Sequence, residues 1–243
     1  MTITPETLAK LRSFDTPTIC NIIEVFEVRP RNTGFMDDRI KACFPEMPPV
    51  VGFAATATFR SSAPPQKGDV YSAMEDQVAR FSELSGPPVV VFQDVDSPPV
   101  AATFGEIMCT TYQTFGATGL ITSGAARDLD QVRRIGFSVF SSGIISAHGY
   151  CHIPKVHVPV HVGGIAIYPD DLLHADCNGV TTIPREIASE VADVGAEFVA
   201  AENIILETLH KEGANYQLFL TARAESKERI QALRKRVSRA KVD

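Results

Sequence analysis

Between residues 88 and 135 the chain alternates β-rich apolar runs with helical stretches, and this limits its fold more than any other feature. Pro88-Val89-Val90-Val91-Phe92-Gln93-Asp94 is short and β-branched, the pattern of a strand buried on both faces. A helix is predicted from about 105 to 115, a strand at 118–122 and a second helix from about 128 to 135. Strands joined through helices in this way run parallel, so the expected class is α/β with a locally parallel sheet.

The flanking segments supply the rest of one domain. Thr4-Pro5-Glu6-Thr7 and Thr16-Pro17-Thr18 each read as a helix cap followed by proline in the first turn. Residues 29–49 are expected to be an irregular loop, and 50–60 a strand. Asp69 is expected to cap a helix through 84, stopped by Gly86-Pro87-Pro88. Beyond Phe137 short strands and tight turns are predicted: 158–162, Gly163-Gly164, 165–168, Asp170-Asp171 and 179–184. A long helix follows from about 185 past 209, then a basic helix over about 225–241 that carries Lys227, Arg229, Arg234, Lys235, Arg236, Arg239 and Lys241. No repeat or linker interrupts residues 1–243, which read as a single domain.

Composition excludes several classes of function. A formal charge of -6 gives no pull toward nucleic acid or an anionic membrane, and the basic C-terminal segment lacks interleaved aromatics. No apolar run approaches the ~18–20 residues needed to cross a bilayer. Five cysteines form no CxxC pair, and the first residues lack the basic and apolar regions of a secretory signal. The expectation is a reducing, cytoplasmic setting.

The chemistry concentrates in two loops at the carboxyl ends of predicted strands, where ligands of α/β folds collect. The first ends in Gly105-Glu106-Ile107-Met108 at a helix start, whose free amides and positive dipole suit a carboxylate. The second is Gly124-Ala125-Ala126-Arg127-Asp128. Its three small residues allow a tight turn close to a ligand. Arg127 can grip a carboxylate in a fork, and Asp128 can hold a hard divalent cation. An arginine and a cation aimed at one spot suit a small 2-oxo acid. The competing reading makes Asp128 an ordinary helix cap beside a solvated arginine, and Glu106 a first-turn acid that favours the dipole.

These motifs, in order, resemble the RraA-like family, which includes 4-hydroxy-4-methyl-2-oxoglutarate aldolases and non-catalytic regulators of ribonuclease E. The matching elements are Asp94, Gly105-Glu106-Ile107-Met108, Gly116-Ala117-Thr118-Gly119, Gly124-Ala125-Ala126-Arg127-Asp128 and Gly136-Phe137-Ser138-Val139-Phe140. Further matches are Val162-Gly163-Gly164, Pro169-Asp170-Asp171-Leu172 and Asp176-Cys177-Asn178-Gly179-Val180 leading to Ile183-Pro184, so the likeness covers about 15–215. It implies a β/β/α swivelling-domain fold assembled as a homotrimer or hexamer, and a Mg²⁺ or Mn²⁺ cofactor. It also implies that Gly105, Glu106, Ile107 and Met108 offer backbone amides to the substrate, that Arg127 binds its carboxylate and oxo end, and that Asp128 ligates the metal directly. Glu106 would act through water, and Glu202 could reach the metal water of an adjacent subunit; an exposed helix glutamate is the alternative for Glu202.

The function implied is a metal-dependent aldolase that cleaves a 4-hydroxy-2-oxo acid to pyruvate, with oxaloacetate decarboxylation as a side activity. Two alternatives stand beside it. One is a regulator that binds a ribonuclease, against which Glu106 counts because the regulators lack an acid there. The other is a different 2-oxo-acid decarboxylase whose pocket uses His148 or His152. A Schiff-base route through Lys155, expected in a loop, is disfavoured. His148, Cys151, His152, His157 and His161 match no familiar zinc spacing, and His157 and His161 fit alternation on strands. Pro169-Asp170-Asp171 replaces the family's Pro-Gly-Asp turn, a change expected to be structural.

Overall fold

The computed structural model describes residues 3–68 and 73–240. Its first half comprises helices α1 (Pro5–Arg12) and α2 (Thr16–Phe26), strands β1 (Lys41–Ala42) and β2 (Val50–Arg60), helix α3 (Met74–Ala79), strands β3 (Pro88–Asp94) and β4 (Ala102–Phe104), and helix α4 (Glu106–Thr114). Strands β5 (Gly119–Thr122) and β6 (Ala125–Ala126) lead to helix α5 (Leu129–Arg134). Seven strands follow: β7 (Ser138–Ser141), β8 (Gly143–Ile144), β9 (His152–Val156), β10 (Val160–Val162), β11 (Ile165–Ile167), β12 (Leu172–Asp176) and β13 (Gly179–Ile183). Helices α6 (Ala188–His210) and α7 (Tyr216–Val237) complete the described fold.

The main sheet has the order β1-β7-β5-β3-β2-β12-β13. Strands β2, β3, β5 and β7 pair in parallel, as the alternation of strands and helices requires. The long β2 is shared along one edge, by β12 at its start and β9 at its end, both antiparallel. Alternation on β2 sends Val51, Phe53, Ala55, Ala57 and Phe59 to one face, and Val50 and Ala54 to the other. The first face is covered in two parts. Helices α1, α2, α6 and α7 pack over Val51 and Phe53, whereas α3, α4 and α5 pack over Ala55 to Phe59. The β10–β11 hairpin, with Met36 and Ile40, covers the opposite face. Helices, sheet and hairpin form three layers, and β3 is buried on both sides because it lies between them.

Several local expectations are corrected. Asp15, not Thr16, caps α2: its carboxylate accepts from the Thr18 N–H at 2.8 Å. Thr16 is already helical, and its hydroxyl bonds His174 Nδ1 at 2.9 Å. Residues 29–49 are irregular except for β1, which adds to the sheet edge beside β7. The predicted helix through 84 is the short α3 followed by a 3-10 turn, Arg80–Glu83; Asp69 lies outside the described residues. His157 breaks the chain between β9 and β10 with φ 55°, so it does not alternate with His161 on a strand. Lys155 lies exposed on β9 rather than in a loop, which gives its ammonium no shelter from water.

Helix α7 begins at Tyr216 rather than near 225, because Asn215 Oδ1 caps the amides of Gln217 and Leu218 at 3.0 and 3.1 Å. Lys241 lies outside the described residues. The Pro169-Asp170-Asp171 turn is structural as expected. Asp170 takes φ 70°, a conformation that favours glycine, and is held there by the Ser85 amide at 2.7 Å and by an ion pair with Arg185.

Candidate active site

A second, small parallel sheet carries the two predicted loops. β6 lies between β4 and β8, with Ala125 opposite Ala102 and Gly143, and Ala126 opposite Phe104 and Ile144. β4 runs directly into Gly105 and α4, and β6 runs directly into Arg127, Asp128 and α5. The loops meet because the strands that deliver them are neighbours. The Arg127 N–H donates to Phe104 O at 3.2 Å, which continues the ladder to the start of the site.

Glycine at 105 lets the Arg127 and Asp128 side chains close over the start of α4. A Cβ there would stand 2.5 Å from Asp128 Oδ2 and 3.0 Å from Arg127 Nε. Asp128 itself is left-handed, φ 55° and ψ 38°, a conformation aspartate tolerates better than most residues. Although it occupies the cap position of α5, its side chain makes no cap bond to that helix. Instead Oδ2 accepts from the Glu106 N–H, the first amide of α4, at 3.1 Å. The carboxylate of one loop therefore caps the helix of the other, in place of the side chain that Gly105 lacks. The reading of Asp128 as an ordinary cap of its own helix does not survive.

The remaining groups face the same place. The first intrahelical bond of α4 runs from the Cys109 N–H to Gly105 O at 3.1 Å, so the amides of Ile107 and Met108 precede it and have no acceptor among the described residues. Met108 buries its side chain in the core and has only its amide to offer. Ile107 is 72% exposed, and the Glu106 carboxylate is exposed in the first turn. Arg127 Nε lies 3.8 Å from Asp128 Oδ2, with both side chains partly buried. A half-buried guanidinium, a carboxylate and two unbonded amides thus share one helix start.

The donor set suits only a particular kind of metal. Among the described residues no cluster of three or more His, Cys, Asp or Glu side chains could form a cage. Asp128 Oδ1, however, has no hydrogen-bond partner among them, and the carboxylate is held by the bond that Oδ2 accepts. A cation here would take one carboxylate oxygen from the chain and fill its other positions with water or substrate oxygens. Mg²⁺ and Mn²⁺ accept that arrangement, whereas structural zinc does not.

Other predicted residues do not join this place within the chain. Glu202 sits half-buried on α6, and the charged group facing it is Asp15; burial, with Asp15 adding to it, raises its carboxyl above the usual range. Cys151 Sγ lies 3.7 Å from His148 Nδ1, while His152 Nδ1 lies 2.8 Å from the Tyr150 carbonyl, so these three side chains form no metal cage.

Sequence reasoning assigned Asp94 no role. It ends β3 almost fully buried; its amide donates to Ser123 Oγ at 2.9 Å, and its Oδ1 accepts from the Asp96 N–H at 3.0 Å. Its Oδ2 is buried without a hydrogen-bond partner among the described residues, and burial pushes the carboxyl up to about 6. An acid that closes an apolar strand buried on both faces is the signal that could have marked it. Asp94, Ser123 and Ser142 line a cleft of about 480 Å³, with Lys41 and His161.

Comparison with known proteins agrees with this architecture. The RraA-like family model, described as Aldolase/RraA, matches residues 16–182. A protein of Halalkalibacterium halodurans described as "Putative 4-hydroxy-4-methyl-2-oxoglutarate aldolase" is 31% identical over 102 residues, which is 42% of this chain and 49% of that protein. The matched part thus spans about half the length of that relative. An uncharacterized protein from Pseudomonas syringae has the same fold, with a TM-score of 0.71 at 21% identity over 92% of this chain and 95% of its own. Streptomyces coelicolor RraAS2, described as an unusual member of the RNase ES inhibitor RraA protein family, gives 0.66 at 20% identity over 82% of this chain and 95% of its own. The chain belongs to the RraA-like family.

Proposed function

We propose that this protein is a divalent-metal-dependent carbon–carbon lyase that cleaves a 4-hydroxy-2-oxo acid to pyruvate, with oxaloacetate decarboxylation as a side reaction. The observation that carries this reading is the convergence of Asp128, Arg127 and the amides of Ile107 and Met108 at the start of α4. The amides and helix dipole receive the substrate carboxylate, and Arg127 forks onto its carboxylate and oxo end. Mg²⁺ or Mn²⁺, held through Asp128, would supply Lewis-acid polarisation of the 2-oxo group.

The chain's own groups manage charge and protons. Glu106, exposed at the rim, receives the 4-hydroxyl proton by way of a water. As the C3–C4 bond breaks, its electron pair passes to C3 and the 2-oxo oxygen of the pyruvate fragment, and the former C4 becomes a carbonyl. Arg127 offers its guanidinium to the negative charge that grows there. Return of a proton to C3 yields pyruvate. Glu202 does not approach this turn within its own chain, so a role for it depends on assembly as a homotrimer or hexamer.

A coupled pyruvate assay over a panel of 4-hydroxy-2-oxo acids and oxaloacetate, with Mg²⁺ or with EDTA, tests the reading. Metal-dependent pyruvate release is expected; none from any substrate would remove it. Preference for oxaloacetate over every aldol substrate would select the decarboxylase instead.

A further inference from the structure

The turn that delivers Arg127 and Asp128 rests on a floor with no space to spare. An added Cβ on Gly124 would lie 2.0 Å from Thr103 Oγ1 and 2.6 Å from Asp94 Oδ2. Real Cβ atoms do not make such contacts, so either the floor or the turn would have to move. The Gly124 backbone is also held at its polar ends. Its N–H donates to Thr122 Oγ1 at 2.9 Å, and that hydroxyl donates to Thr103 Oγ1 at 3.2 Å. Its carbonyl accepts from both the amide and the hydroxyl of Ser142, each at 2.9 Å. Thr103 falls at the register shift in the β4–β6 pairing, between the Ala102–Ala125 and Phe104–Ala126 pairs. The same short strand therefore supplies the floor under Gly124 and the residue, Phe104, whose carbonyl receives the Arg127 amide.

We propose that Thr103 and Asp94 are positioning residues: by packing against the bare Cα of Gly124 they set the height of β6, and so place Arg127 and Asp128 against the start of α4. Neither is among the groups assigned above to substrate or metal. The inference rests on the lyase reading for its catalytic consequence, but the contact it describes can be observed without any activity. A shift of about 1 Å at β6 is enough to break the 3.1 Å bond from the Glu106 amide to Asp128 Oδ2, because hydrogen bonds weaken steeply beyond about 3.5 Å. Misplacement on that scale costs on the order of a hundredfold in rate when it affects the groups that hold the reacting atoms.

The test compares Gly124→Ala with the double variant Gly124→Ala/Thr103→Ala, using Thr103→Ala alone as a control. Two readouts are taken: exchange of the Glu106 amide by NMR, and kcat/KM for metal-dependent pyruvate formation. Gly124→Ala is expected to speed Glu106 exchange at least tenfold and to lower kcat/KM about a hundredfold. The double variant, which removes the nearer of the two oxygens that the new methyl would strike, should recover at least tenfold of each. A merely structural role predicts the opposite, since two destabilising changes would add. Unchanged Glu106 exchange in Gly124→Ala, or a double variant worse than both singles, overturns the proposal. If Gly124→Ala does not fold while the double variant does, the floor contact is upheld; if neither folds although Thr103→Ala does, it is rejected. If the wild-type protein releases no pyruvate, the lyase reading fails, and the exchange measurements still decide the positioning.

Discussion

Replacing Asp94 with asparagine should stabilise this protein, and only at high pH. The carboxyl is raised from an ordinary 3.8 to about 6 first by burial, with Asp96 adding to the rise and the Asp96 amide opposing it. A rise of roughly two pH units, at about 1.4 kcal/mol per unit, gives an upper limit of about 3 kcal/mol. Water in the adjoining cleft lowers this, and about 1–2 kcal/mol is the working figure. The sign follows from linkage. Between pH 4 and 6 the native state holds a proton that the unfolded chain has released, so stability falls as pH rises through this window and then levels off. Asp94→Asn cannot ionise, and its Oδ1 can still accept from the Asp96 N–H. Urea unfolding followed by circular dichroism, which the absence of tryptophan makes the natural probe, should show the variant about 1–2 kcal/mol more stable at pH 8 and equal to wild type at pH 4. At about 2–4 °C per kcal/mol for a chain of this size, Tm should rise by a few degrees at pH 8. A variant destabilised at pH 8, or a difference that does not change with pH, would refute the burial account of this carboxyl.

Three further outcomes are expected. Asp128→Ala should weaken Mn²⁺ binding, measured by electron paramagnetic resonance, at least tenfold, and should lose about 1 kcal/mol of stability because the first amide of α4 loses its cap; wild-type Mn²⁺ affinity in the variant would contradict the assignment. Tyr112→Phe should cost about 1–3 kcal/mol in urea unfolding, because the buried phenol donates to Gln77 Oε1 at 2.7 Å while Gln77 Nε2 donates to Ala55 O, and the change leaves a buried acceptor unpaired; a variant as stable as wild type would contradict it. His174 is buried with Nε2 on the Leu11 carbonyl and Nδ1 on the Thr16 hydroxyl, and burial lowers its pKa, so its share of stability is present above 6.5 and lost as pH falls below it; proton titration by NMR should show the ring charging at a lower pH than an exposed histidine, and a midpoint at or above 6.5 would contradict this.

The residues alone decide what is local and periodic. The β-branched run at 88–94, the proline-led helices and the glycine-rich turn at 163–164 are legible because side-chain period and backbone restriction act within a few residues. The order of strands and helices was enough to set the parallel centre of the sheet, since such strands need a crossover. Caps were less legible. Asp15 and Thr16 are both good capping residues, and the choice fell to Asp15 because Thr16 is engaged by His174, 158 residues away. The break at His157 and the early start of α7 likewise depend on packing that no short window contains.

The candidate site divides in the same way. Residue types at 105–108 and 127–128 pointed to a carboxylate and a cation, but two readings of Asp128 stood open in the sequence. Only the pairing of β4 with β6 separates them, because it brings the Glu106 amide into bonding reach of the Asp128 carboxylate, which makes no cap bond to its own helix. The burial of Asp94 is likewise decided by long-range packing: beyond its local bond to the Asp96 amide, it is held by Ser123, 29 residues on, and packed against Gly124. Local propensity specifies which groups a chain carries. Which of them lose their water and meet is settled by strand order across the sheet and by the close packing it imposes.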